Sequence, residues 1–294
     1  MNNLTITDVR VNPGDAAFLI DDGKTAIMYD SGFAFTGYEV ADKIKTILKN
    51  RNLDYIFLTH SHYDHALGSV YAKKMWPEAK IVAGEYATKI FAKPTAKAVM
   101  RDLDKKFATV CGVVEYEDLI DNLKVDIAVD DGDEIVANTM KFTAISLPGH
   151  TKCSVGFYCM ESKLLLSCET LGVTDGKGVV LPVFLVGYDM ALSSIKRAQE
   201  LDVEYVLVPH FGLLDKEQSA TYLKKAELTA KKIASEIVGK LKAGEDKEVI
   251  VKQYLNEYWN GYIKDIYPED AIRLNTGIMI NLLEHELVSK PTVD

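Results

Sequence analysis

Cysteine is scarce in this sequence. The 294 residues include four, Cys111, Cys153, Cys159 and Cys168, with no CxxC pair among them. That excludes a small disulfide scaffold, and the four read as reduced thiols. Basic charge is also in deficit. Lys and Arg number 34 against 43 Asp and Glu, a formal net charge of −9, which argues against a broad nucleic-acid footprint. No apolar run reaches membrane-spanning length, so no membrane partner is expected. Residues 1–20 show no basic stretch leading into an apolar one, and the expected compartment is cytoplasmic. Hydrophobic residues make up 48%, enough for a substantial core in one large domain or two small ones.

The N-terminal third alternates short strands and helices. Residues 4–11, 16–20 and 26–29 read as strands, with a hairpin turn at Asp21-Asp22-Gly23-Lys24. Val40, Ile44, Ile47 and Leu48 at helical spacing mark a helix over 38–50. A strand at 54–58, a His-rich loop, a helix over 66–76 and a strand at 79–83 follow. Residues 85–111 interrupt this rhythm as a helical insertion broken near Pro94, and Tyr86, Phe91, Met100 and Phe107 read there as core positions rather than as a lid. Strands return at 125–129, 134–136, 140–147, 154–160 and 163–167, then a helix at 190–201 and a strand at 205–208. From 215 onward the pattern is helical, over 217–241, 246–259 and 268–287, and the lysine-rich face of the first of these reads as solvated. The expected organisation is a domain over 1–214 with a helical subdomain over 215–294 packed on it.

The informative stretch is Thr59-His60-Ser61-His62-Tyr63-Asp64-His65. It puts three imidazoles and a carboxylate within six positions at the end of an apolar strand, a pattern that suits a metal site in need of further ligands. His150, in Pro148-Gly149-His150-Thr151, and His210, in Pro209-His210-Phe211-Gly212, also follow strands. His285 lies in the last helix among glutamates and reads as a surface residue. His60 and His62 point to one side of an extended segment and can grip one ion. Asp64 and His65 then turn toward a second, and His150 and His210 complete one ion each. Glu169, after the buried strand 163–167, supplies a candidate bridging carboxylate.

Taken in order, His-x-His-x-Asp-His at 60–65, Pro-Gly-His-Thr at 148–151, Glu169-Thr170-Leu171 and Pro-His-x-Gly at 209–212 resemble the metallo-β-lactamase fold superfamily over roughly residues 15–212. The resemblance implies an α/β fold, an αββα four-layer sandwich of two mixed β-sheets flanked by helices, with the metal site along one sheet edge. It implies His60, His62 and His150 on one ion and Asp64, His65 and His210 on the other. Asp30, in Asp30-Ser31-Gly32, matches the family's Asp-x-Gly element, which supports the ligands from behind. Glu169 stands where the family usually has Asp, and the extra methylene changes how a bridge is made. Cys168 and Cys153 stand where small residues are common and read as packed thiols. Pro182, Tyr188, Ser193 and the 190–201 helix resemble the branch of small hydrolases and thioesterases that carry extra C-terminal helices.

The resemblance implies a dinuclear metal-dependent hydrolase. A metal-bound hydroxide would attack a thioester, lactone, ester or phosphodiester of a small-molecule substrate, with Asp64 as the catalytic residue that orients the nucleophile or takes its proton. Two divalent ions are expected. Zinc is the default for a nitrogen-rich site, and two carboxylates also suit iron or manganese. A homo-oligomer is compatible with the sequence. A flavodiiron-type reductase would carry Glu at position 62 and a fused flavin domain, and an RNA-processing nuclease would carry an inserted domain and basic grooves; the sequence has none of these. The competing reading is a metal-binding signalling or regulatory module that acts through its C-terminal helices.

Overall fold

A computed structural model describes residues 4–289. The first sheet is built from β1 (Thr5–Asp8), β2 (Phe18–Asp21), β3 (Ala26–Tyr29), β4 (Tyr55–Leu58), β5 (Lys80–Gly84) and β6 (Ile127–Val129), paired in that order. The pairs β1–β2 and β2–β3 are antiparallel, and β3 through β6 run parallel. The β2–β3 connection is the expected tight turn, with Gly23 at φ +86° and the Asp22 carboxylate accepting the Lys24 and Thr25 amides. The parallel strands need crossovers, and α1 (Gly37–Leu48), the short α2 (Tyr63–Ala66), α3 (Ser69–Met75), α4 (Glu85–Phe91) and α5 (Pro94–Val110) lie within these crossover segments. The second sheet holds β7 (Glu134–Ala137), β8 (Met140–Ser146), β9 (Val155–Cys159), β10 (Leu164–Leu166), β13 (Tyr205–Val208) and β14 (Gly212–Leu213) in the order β14-β13-β10-β9-β8-β7. Only β10–β13 is parallel in it, so both sheets are mixed. A small ribbon pairs β11 (Val173–Thr174) with β12 (Val180–Leu181).

Strand alternation assigns each side chain to a layer. Phe18, Ile20, Ile27, Tyr29, Phe57 and Val82 from one sheet meet Phe142, Phe157, Leu164, Leu166 and Leu207 from the other in the central core. Their sequence neighbours Leu19, Met28, Ile56, Leu58 and Ile81 face the opposite way, against Val40 and Ile44 of α1 and Val70 and Tyr71 of α3. On the far side, Leu165, Val206 and Val208 pack under Ile195 and Ala198 of α6 (Tyr188–Gln199) and Tyr222 and Leu223 of α7 (Lys216–Lys242). Helix, sheet, sheet and helix therefore form four layers, the αββα sandwich.

The remaining helices are α8 (Lys247–Tyr258), α9 (Gly261–Ile266) and α10 (Glu269–Leu283). With Ile233 and Ile237 of α7 they enclose a core that also takes Val173, Leu181, Phe184 and Tyr188. Among the described residues, no helix is long and apolar enough to cross a membrane.

Two element expectations change. The helix expected over 66–76 begins three residues earlier, as α2, and restarts as α3. Asp64 and His65 therefore sit on a helical turn and not in a loop. Gly68, at the junction, must lack a side chain, because a Cβ there would lie 1.8 Å from the Ser31 carbonyl oxygen. The strand expected over 4–11 ends at Asp8, and α9 and the β11–β12 ribbon had no counterpart in the sequence reading.

Candidate metal centre

The ends of β3 and β4 set the first half of the site. Asp30 leaves β3 with φ +48°, a left-handed conformation that Asp tolerates better than most residues. Its carboxylate turns toward β4, where Oδ1 accepts the Thr59 amide at 2.8 Å and Oδ2 accepts the Thr59 hydroxyl at 2.9 Å. Oδ2 also accepts from His65 Nδ1 at 2.8 Å. The Thr59 hydroxyl, having donated to Asp30, accepts from His60 Nδ1 at 3.0 Å. His65 is further fixed through its carbonyl, which accepts from the Ser31 amide and hydroxyl at 2.8 Å and 2.7 Å.

The second sheet supplies the other half. His150 Nδ1 donates to the Val183 carbonyl at 2.8 Å, and the His150 amide donates to Thr170 Oγ1 at 3.1 Å. His210 follows β13 with φ +62°, and its Nδ1 donates to the Asp15 carbonyl at 3.2 Å. Such a backbone costs on the order of 1–3 kcal/mol and persists only where its surroundings enforce it. Arg10 and the Tyr262 hydroxyl both donate to the His210 carbonyl and supply that restraint.

With Nδ1 of His60, His65, His150 and His210 engaged from behind, the four Nε2 atoms face one space. His62 adds its Nδ1, 2.9 Å from His150 Nε2, and His65 Nε2 lies 3.1 Å from His210 Nε2. Glu169, on a short turn after β10, brings Oε2 to 2.8 Å from His150 Nε2 and 3.3 Å from both His60 Nε2 and His65 Nε2. Asp64 Oδ2 stands 3.6 Å from His65 Nε2 and 3.7 Å from His210 Nε2. Donor atoms of His60, His62, His150 and Glu169 lie within 4.8 Å of one another, and those of Asp64, His65 and His210 do the same. Glu169 reaches both groups.

This donor set fits divalent cations. His60 Nε2 is buried and makes no hydrogen bond, although Glu169 Oε2 is 3.3 Å away. Burial and neighbouring imidazoles hold His60 well below the usual histidine range and His62 and His210 near 3, so their nitrogens carry free lone pairs. Burial acts the same way on His65, but Asp30 and Asp64 outweigh it and favour positive charge there. Burial also pushes Asp64 up to about 6, whereas His150, His60 and His65 overcome burial at Glu169 and hold its carboxyl well below the ordinary range. The unprotonated nitrogens of His60, His62 and His210, converging on carboxylates in a buried site, are what a cation satisfies.

The sequence of residues 14–210 matches the metallo-beta-lactamase superfamily along two-thirds of the chain. The chain belongs to this superfamily. A Dictyostelium discoideum protein named glyoxylase B2 is 30% identical over 153 residues, 51% of this chain and 47% of that protein, so the match spans about half of that relative's length. Among solved structures, an archaeal metallo-beta-lactamase superfamily protein from Sulfolobus tokodaii superposes with a TM-score of 0.64 at 20% identity, over 95% of this chain and 99% of that one. A metallo-beta-lactamase family protein from Thermus thermophilus gives 0.65 at 15% identity, over 97% and 94%. Both share the fold along nearly the whole chain, C-terminal helices included.

Two features of this superfamily member escaped the sequence reading. One is Tyr267, buried at the α9–α10 junction, whose hydroxyl donates to Glu169 Oε1. The other is the placement of a cavity of about 300 Å³ over the cluster, with His62, Asp64, His150 and Glu169 on its floor and walls from both α5 and α10. Phe91, Met100 and Phe107 are buried as core residues, but Phe107 also faces the cavity, and Tyr86 is exposed. Tyr63 lines the cavity while packing on Phe33 at 5.6 Å between ring centroids. His285 is exposed and lies outside the cavity lining. Cys168 is fully buried, its thiol pushed up to about 12 by burial, and belongs to neither donor group.

Proposed function

We propose that the protein is a dinuclear metal-dependent hydrolase acting on a small molecule with a thioester, lactone, ester or phosphodiester bond. The observation that carries this reading is the convergence of five imidazoles and two carboxylates, with His62, Asp64, His150 and Glu169 among them lining the floor of a cavity large enough for a substrate. His60, His62 and His150 would hold one ion and Asp64, His65 and His210 the other, with Glu169 reaching both and Asp30 fixing His65. Two ions so held would polarise the scissile oxygen and acidify a water molecule. Zinc is the first candidate, and iron or manganese suits the two carboxylates.

The chain's own residues do the rest. Asp64 is the carboxylate with partial exposure at the cavity floor, its side chain 15% accessible, and would orient the attacking water and receive its proton at the carboxylate oxygen that does not hold the ion. The Nδ1 contacts to Asp30, Val183 and Asp15 keep the three rings from rotating as charge changes at the floor. α5 and α10 wall the approach to the cluster. Because α10 forms part of the substrate wall, its position supports an enzyme rather than a regulatory module signalling through free C-terminal helices.

The test is metal analysis of purified protein, chelation, then addition of zinc, iron or manganese, assayed on thioester, lactone, ester and phosphodiester panels. About two equivalents of metal per chain are expected, with activity lost on chelation and restored by one of the ions. Absence of bound metal together with chelator-indifferent hydrolysis would sink the reading.

A further inference from the structure

The cavity over the ligand cluster lies between two apolar stripes. On α5, Leu103, Phe107 and Val110 recur at i, i+4 and i+7. On α10, Ala271, Leu274 and Ile278 recur at i, i+3 and i+7. Each set occupies one helix face, and α10 turns its other face, Ile272, Thr276 and Met279, into the protein. The cavity-facing stripe is therefore not surplus core. Val110 is 74%, Leu274 61% and Leu103 38% exposed, so the mouth is ringed by large apolar side chains open to solvent. Such a concentration around an opening that leads to a polar floor marks a site for an apolar guest.

Charge in the lining points the same way. Lys106 is the one cationic side chain among the lining residues. Its ammonium is 2.7 Å from Asp102, and Asp270 also acts on it. A phosphodiester or polyanionic substrate would find a single lysine on these walls, already shared between two carboxylates. The polar floor and the apolar walls together suit a carbonyl at one end of a hydrocarbon.

Resting on the hydrolase reading above, the geometry points to a substrate class: carboxylic esters, thioesters or lactones with an uncharged apolar acyl or aryl group, which lies between α5 and α10 and whose length is read at Leu274. The volume of about 300 Å³ accommodates on the order of ten non-hydrogen atoms at about 30 Å³ each. In the reaction, the water oxygen bonds to the acyl carbon, the C–O or C–S bond breaks, and the water's proton leaves on the alcohol or thiol. No oxidant or reductant is consumed.

Two measurements separate the pocket from the chemistry. The first is calorimetric binding of 2-butanone, 2-hexanone, 2-octanone and 2-decanone, which present a carbonyl and an alkyl chain but cannot be hydrolysed. The second is hydrolysis of p-nitrophenyl esters from acetate to dodecanoate by metal-loaded protein, beside bis-p-nitrophenyl phosphate. Affinity and kcat/KM are expected to rise about fourfold per methylene and to level off when the cavity is full. Leu274→Trp, at an exposed position that tolerates a larger side chain, should move the plateau to shorter chains in both measurements. Chain-length-dependent ketone binding without ester hydrolysis would support the pocket assignment while overturning the hydrolase reading. Hydrolysis indifferent to chain length with no ketone binding, or a preference for the phosphodiester, would overturn the substrate class while leaving a hydrolase.

Discussion

Glu169 and Tyr267 act as a pair. The longer acid sends its two oxygens to different places. Oε2 lies 2.8 Å from His150 Nε2 and 3.3 Å from both His60 Nε2 and His65 Nε2, while Oε1 accepts from the buried Tyr267 hydroxyl. With Oε1 occupied, Oε2 is left to face both donor groups. Tyr267→Phe removes this restraint while keeping the ring, and metal affinity measured by chelator competition is expected to fall about 10- to 100-fold. Glu169→Asp should also weaken metal retention. The shorter side chain cannot reach both places, and a Tyr267 hydroxyl left without an acceptor costs about 1–3 kcal/mol, visible as a lower melting temperature. Tighter metal binding and faster hydrolysis in Glu169→Asp would show instead that the native acid is a poor bridge.

At the scale of elements, α5 is tied to its surroundings by one buried carboxylate. Asp104 is inaccessible to solvent and accepts the Ala34 amide at 2.9 Å and the Tyr116 hydroxyl. Burial raises its carboxyl to about 6 against the opposing pull of those two hydrogen bonds. The unfolded chain titrates this group near 3.9. Between about pH 4 and pH 6 the folded protein therefore binds more protons than the unfolded one, so this residue's contribution falls as pH rises, and its cost is full above pH 6. About two pKa units set an upper bound of roughly 3 kcal/mol. Asp104→Asn keeps an acceptor for Ala34 and carries no charge. Denaturant midpoints of the two proteins should converge near pH 4 and separate by pH 6.5, with the variant more stable at the higher pH. Parallel curves would show that Asp104 is already ionised in the fold.

The same helix shows what the sequence could reveal. His60, His62, Asp64 and His65 are local, and their spacing advertises the chemistry before any fold is known. His150, Glu169 and His210 each follow a strand, which strand periodicity exposes. Asp30 entered through a family pattern. Tyr267 had no such signal, being one of 15 tyrosines and reaching Glu169 only because α9 and α10 fold back over the sheets. The placement of the cavity was equally hidden. Leu103, Phe107 and Val110 have the periodicity of a core stripe, and only the approach of α10, more than 150 residues later, makes them a wall.

For the whole molecule, the question is whether 215–294 is a separable subdomain. The contacts argue for dependence. Tyr222 donates to the Gly172 carbonyl at 2.6 Å, and the Ser219 hydroxyl accepts the Val206 amide of β13 at 3.1 Å. Tyr262 holds the His210 carbonyl and Tyr267 holds Glu169. Val173, Leu181 and Phe184 are buried in a core shared with α7 through α10, and Val180 is buried against α7. Exposing four such side chains at about 1.5–3 kcal/mol each forfeits on the order of 6–12 kcal/mol. That equals the whole stability of an ordinary domain, roughly 5–15 kcal/mol. A chain ending at Leu214 is therefore expected to lose its cooperative melt by circular dichroism and to elute as aggregate on gel filtration, while the full chain melts in one transition. The outcome distinguishes two histories of this architecture. A truncated chain that melts cooperatively and still binds metal would make the C-terminal helices an independent attachment. Its collapse would mean that the helices complete the same core whose edge carries the ligands, so that the metal centre and the substrate wall form or fail together.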